Sequence, residues 1–123
     1  MKYFAILLLI ASFAVLSESE YVNLAIKEAD KTLKKNGWNP MPLNCEYEED
    51  KQSYWSLNAA PEIFKSGISS IHSCTGTGQN YCKYFYSNNN GKCLSLVTIG
   101  EFSDKKLDSL IVKSVGDYCP EDC

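Results

Sequence analysis

Six cysteines constrain this chain more than any other feature: Cys45, Cys74, Cys82, Cys93, Cys119 and Cys123. What they mean depends on the compartment, and the opening residues speak to that. Lys2 supplies a short positive region, and Phe4 to Leu16 is an apolar run broken only by Ser12. Val15 and Ser17 are small residues three and one before a cleavage after Ser17. This is the layout of a secretory signal peptide. The apolar run of about 13 residues falls short of the roughly 20 that span a bilayer, so no membrane anchor is expected. The expected organisation is a signal peptide over residues 1–17 and a single disulfide-rich extracellular domain over 18–123. In an oxidising compartment an even cysteine count reads as three disulfides, and six cysteines leave fifteen pairings open. A zinc site would call for close pairs such as C-x2-C, and none occurs; Cys119-Pro-Glu-Asp-Cys123 has three intervening residues.

A domain of roughly a hundred residues buries a usable core but has little stability to spare, so covalent staples help. The whole chain has a net charge of −3, and losing Lys2 takes it to −4. Every cation is a lysine; arginine, the residue best suited to bidentate phosphate and guanine recognition, is absent. An acidic chain of this kind is not expected to bind nucleic acid or anionic membrane. It contains no N-x-S/T acceptor for glycosylation.

Hydrophobic spacing outlines an α+β domain. Over residues 20–36, Val22, Ala25, Ile26, Ala29 and Leu33 form one apolar stripe. Glu20, Lys27, Glu28, Asp30, Lys31 and Lys34 fill much of the remainder, and Asn36-Gly37 is a natural stop after which Trp38 packs back. Strands are suggested at 43–47 and 53–57 around a solvated acidic turn, Glu46, Glu48, Glu49 and Asp50. A short helix fits within 59–71, with Pro61 in its first turn. The strongest strand signals are Tyr81 to Tyr86 and Cys93 to Ile99, joined by Asn88-Asn89-Asn90-Gly91, and they predict an antiparallel hairpin over 81–99. For Glu101 to Gly116, Ser103 as a cap and a Phe102–Leu107 staple favour a C-terminal helix. The rival is a strand over Leu110 to Val115, where Ile111, Val112 and Val115 are β-branched.

Catalytic groups are scarce. His72 is the only histidine, no G-x-S-x-G marks a serine nucleophile, and bridged cysteines are not thiol nucleophiles. The acidic run lacks the spacing and central glycine of a calcium loop, and Gly76-Thr77-Gly78 lacks the lysine of a phosphate loop. No enzyme activity, metal site or cofactor is expected. The aromatic strand and the loop between Cys74 and Cys82 offer the best partner surface, with Thr75, Thr77, Tyr81, Tyr84 and Tyr86 as candidates, since tyrosine combines large contact area with a polar tip.

A helix followed by strands, with a short-spaced cysteine pair and then a long-spaced one, resembles the layout of secreted cystatins. The resemblance implies Cys74–Cys82 and Cys93–Cys119 bridges, leaves Cys45 and Cys123 as a third, and puts protease inhibition among the expected functions. The chain departs from that family in lacking its Q-x-V-x-G loop and its Pro-Trp pair; the tryptophans here are Trp38 and Trp55. The expected function is a secreted, non-enzymatic effector or inhibitor of the kind found in venom, saliva or seminal fluid, binding an extracellular protein. The alternative is an extracellular carrier of a small apolar ligand.

Overall fold

The computed structural model describes residues 18–41, 59–75, 79–102 and 106–120. The signal segment, the suggested strands at 43–47 and 53–57, the acidic run, Cys45, Cys123 and the Gly76-Thr77-Gly78 turn lie outside these residues.

The amphipathic stripe forms helix α1 (Ile26–Lys35), shorter at its start than the expected 20–36. A 3-10 turn over Glu18–Tyr21 precedes it. The residues between leave the helix because a sheet edge engages their backbone. The Asn23 and Ile26 N–H groups donate to the carbonyls of Val112 and Leu110, and the Val112 N–H donates to the Leu24 carbonyl, each at 2.8 Å. Asn23 reaches this path with a φ of 73°, a left-handed conformation that asparagine tolerates. At the other end the expected stop is present. Gly37 takes a φ of 91°, its N–H donates to the Lys34 carbonyl, and the Trp38 N–H donates to the Leu33 carbonyl at 2.9 Å. That is the Schellman termination, and it turns Trp38 back against the core.

Among the described residues five strands make one antiparallel sheet: β1 (Asn39–Pro40), β2 (Ile71–Cys74), β3 (Cys82–Ser87), β4 (Cys93–Ile99) and β5 (Ile111–Gly116). β3 and β4 form the hairpin that the aromatic and β-branched runs predict, with Tyr84 opposite Leu96 and Tyr86 opposite Leu94. Asn88 organises its turn, the side-chain oxygen accepting from the N–H groups of Asn90 and Lys92 at 3.0 Å. β1 and β2 share the other edge of β3, Pro40 lying opposite Tyr86 and Ile71 opposite Tyr84. A short helix α2 (Ala60–Lys65), with Pro61 in its first turn, leads into β2 and buries Ala60 and Ile63.

The expected C-terminal helix over 101–116 is not formed. Leu107–Ser109 makes a single 3-10 turn and the chain then enters β5, as the rival reading had it. Val112 lies opposite Thr98 and Val115 opposite Leu96. The free edge of β4 offers backbone groups that need partners, and the β-branched residues suit an extended chain. Those gains outweigh local capping signals. Phe102 and Leu107 still pack against the core.

Disulfides fix two corners of the sheet. Cys74–Cys82 ties β2 to β3 across a paired position, and Cys93–Cys119 ties the start of β4 to the segment beyond β5. Their sequence separations of 8 and 26 correspond to about 2.5 and about 3.5 kcal/mol in the loop-entropy treatment.

The core lies between α1 and the inner face of the sheet, where Ile26, Ala29 and Leu33 meet Tyr84, Tyr86, Leu96 and Val112. Each large aliphatic side chain buried there contributes about 1.5–3 kcal/mol. Asp30 interrupts the buried stripe, although the sequence pattern groups it with the solvated residues. It is 5% exposed; its carboxylate accepts from the Tyr86 hydroxyl at 2.7 Å and pairs with Lys34 at 2.9 Å. The Tyr84 hydroxyl shares a 2.9 Å hydrogen bond with Thr98. Burial raises both phenols well above the ordinary value of 10.0, and for Tyr86 the Asp30 charge raises it further. Ser70 lies near enough to ease that shift, yet its buried hydroxyl forms no hydrogen bond of ordinary geometry.

The sign of the pH effect follows. Above pH 10 the unfolded chain loses phenolic protons that the folded chain keeps, so stability is whole below that pH and falls as pH rises, by about 1.4 kcal/mol per pH unit per phenol at most. Tyr86→Phe leaves the Asp30 carboxylate short of a donor. It should cost about 2 kcal/mol at neutral pH while flattening the alkaline decline. Urea unfolding from pH 7 to 11 measures both effects; an unchanged midpoint at neutral pH would mean that the Tyr86–Asp30 bond carries no stability.

Candidate functional site

Strand parity divides the expected surface residues in two, because successive side chains point to opposite faces of a sheet. Tyr84 and Tyr86 share the inner face and are 0% exposed, so they belong to the core and not to a partner surface. Tyr81, Lys83 and Phe85 take the outer face. Thr77 lies outside the described residues.

Tyr81 is held firmly for a half-exposed residue. Its N–H donates to the Thr75 hydroxyl at 3.0 Å, and its carbonyl accepts from the Thr75 N–H at 2.8 Å. This doubly bonded pair sits just beyond the Cys74–Cys82 bridge. The bridge, Thr75, Tyr81, Ser73 and Lys83 line a hollow of about 170 Å³. The ring of Tyr81 is covered by a cation: Lys113 Nζ lies 5.0 Å from its centroid and donates to its hydroxyl at 3.3 Å. Lys113 reaches it because β5 carries an irregularity there. Val112 and Ser114 pair with consecutive β4 residues, Thr98 and Val97, which leaves Lys113 as the extra residue.

A second lysine–tyrosine pair stands on the same face. Lys83 Nζ lies 5.9 Å from the centroid of Tyr118, a ring 47% exposed. Tyr118 in turn packs edge-on against Phe85 at 5.8 Å, and His72 does the same from the β2 side at 5.3 Å. These two rings help to cover Phe85, which is only 2% exposed although it lies on the outer face. The close approach of Tyr118 depends on Gly116. A Cβ there would stand 2.8 Å from the Tyr118 ring and 2.7 Å from Ser95 Oγ, nearer than such atoms come.

The arrangement is a rigid surface with two aromatic rings, each paired with a lysine. Such pairs are worth about 0.5–1 kcal/mol where exposed. Among the described residues neither Lys83 nor Lys113 forms an ion pair; the two bridges present are Lys34–Asp30 and Lys65–Glu62. Nor do those residues contain a group of three His, Cys, Asp or Glu side chains placed to hold a metal. His72 has a hydroxyl neighbour, Ser73, at 2.9 Å from Nδ1, and its ring serves the aromatic cluster. Tyr118, Lys83 and Lys113 were not singled out by sequence. Parity along β3 is the signal that finds Lys83; nothing local finds Tyr118 or Lys113, since both arrive from β5 and beyond.

No family model matches the chain, and no curated protein or solved structure matches it. The two bridges that the cystatin layout implies, Cys74–Cys82 and Cys93–Cys119, are both formed.

Replacing Gly116 with alanine should push Tyr118 off Phe85 and cost about 1–3 kcal/mol through overpacking. Loss of the Phe85–Tyr118 cross-peak in a proton NOE spectrum, together with a lower unfolding midpoint, is the expected result. A retained cross-peak would show that the ring does not depend on the missing Cβ.

Proposed function

We propose that this protein is a secreted, non-enzymatic effector that binds an extracellular protein through the outer face of its sheet. The observation that carries this reading is the pair of lysine-covered tyrosines, Lys113 on Tyr81 and Lys83 on Tyr118, on one disulfide-braced surface. Tyrosine is enriched where interfaces concentrate their energy, and a rigid ring loses little entropy on docking. Each lysine keeps its charge available to a partner. In a chain of net charge −3, this lysine-bearing face favours an acidic patch opposite it. The disulfides are compatible with an extracellular location.

The test uses the disulfide-intact protein immobilised in the fluid of the tissue that secretes it. Wild type should capture a protein that Tyr81→Ala/Tyr118→Ala loses by tenfold or more in affinity, about 1.4 kcal/mol. Lys83→Glu/Lys113→Glu should also lose it, chiefly through slower association, and the wild-type affinity should weaken as salt rises. A partner retained equally by all three forms would place binding elsewhere and overturn this assignment of the surface.

A further inference from the structure

A separate concave site lies at the end of the molecule where α1 stops and the β3–β4 turn begins. It is an open groove of about 730 Å³, bounded by Tyr21 and Trp38 and reaching the Cys93–Cys119 bridge. Asn36, Asn88, Lys92 and Asp117 supply its polar groups. Each wall has a structural reason to stay in place. The Schellman turn sets Trp38, the Asn36 amide donates to the Tyr21 hydroxyl at 3.2 Å, and Asn88 is fixed by the turn it organises. Lys92 and Asp117 are both exposed.

We propose that this groove binds a neutral oligosaccharide, which goes beyond the protein-binding reading and rests on different residues. The chemistry of the lining selects this class. One lysine and one aspartate leave the rim without net charge, so nothing favours an anionic or cationic ligand. An apolar ligand would strip water from two amides and two charges without replacing those hydrogen bonds, which is costly. A pyranose suits both parts of the lining. Its C–H face stacks on the partly exposed Trp38 indole, while its hydroxyls donate to Asp117 and accept from Lys92 and the amides. An open groove also suits a chain of sugar units better than a single enclosed molecule does.

The test follows the indole N–H resonance of Trp38 in ¹⁵N-labelled, disulfide-intact protein, with Trp55→Phe assigning the two indole signals. Chitotriose, maltotriose and mannotriose are titrated separately, with laurate as the apolar probe. A saturable shift of the Trp38 signal with at least one trisaccharide, unaffected by added salt, is the expected result. Lys92→Ala/Asp117→Ala, which removes two exposed side chains, should weaken that affinity at least about fivefold with the remaining amide spectrum unchanged. If no trisaccharide moves the Trp38 signal, the proposal is overturned. It is equally overturned if laurate alone moves it, or if the double variant binds like wild type.

Discussion

The hydrogen bond from the Tyr86 hydroxyl to the buried Asp30 carboxylate fixes the relation between helix and sheet, and the rest of the molecule follows from it. A carboxylate this deep is costly unless it is paired and hydrogen-bonded. Tyr86 and Lys34 together meet that demand: Lys34 reaches Asp30 from one turn on in the same helix, and Tyr86 reaches it from β3, so this face of α1 is turned onto the sheet. With Tyr86 directed inward, alternation sends Tyr84 and Cys82 inward too and turns Tyr81, Lys83 and Phe85 outward. The same placement of α1 sets where its C-terminal turn delivers Trp38. The outer aromatic surface and the end groove are thus two consequences of one register.

The disulfides have a related but separate role. Cys82 sits on the inner face opposite Cys74, which holds β2 in register against β3 and keeps the Thr75–Tyr81 pair at the sheet's corner. Cys93–Cys119 holds the chain after β5 close to the hairpin, near where Tyr118 folds over Gly116. In a domain of this size such bonds do more than add stability. They let half-exposed side chains keep one geometry without a thick core beneath them.

Much of this was legible in the sequence. The hairpin followed from β-branched and aromatic runs around an Asn-Gly turn, and the helix stop from Gly37 and Trp38. Three features were not. Residues 22–25 continue the helical stripe but are drawn into pairing with β5, a partner some ninety residues away. Residues 111–116 carry the same conflict in reverse: a local cap favours helix while the edge of β4 favours strand, and the long-range ladder prevails. Asp30 occupies a position four after Ile26 and three before Leu33, so helical geometry alone places it inward. Its charge argued the other way, and only Tyr86, far along the chain, resolves the conflict. The candidate surface failed in part for a simpler reason. Tyr81 cannot share a face with Tyr84 and Tyr86 along a regular strand.

The inward and outward division of the tyrosines is the claim on which the proposed binding surface rests, and chemical modification reads it directly. Brief nitration of the native protein, followed by peptide mass spectrometry, should modify Tyr81 and Tyr118 while Tyr84 and Tyr86 stay protected until the protein is unfolded. Modification of Tyr84 or Tyr86 at the rate of Tyr118 under native conditions would contradict the register and, with it, the surface assigned to binding.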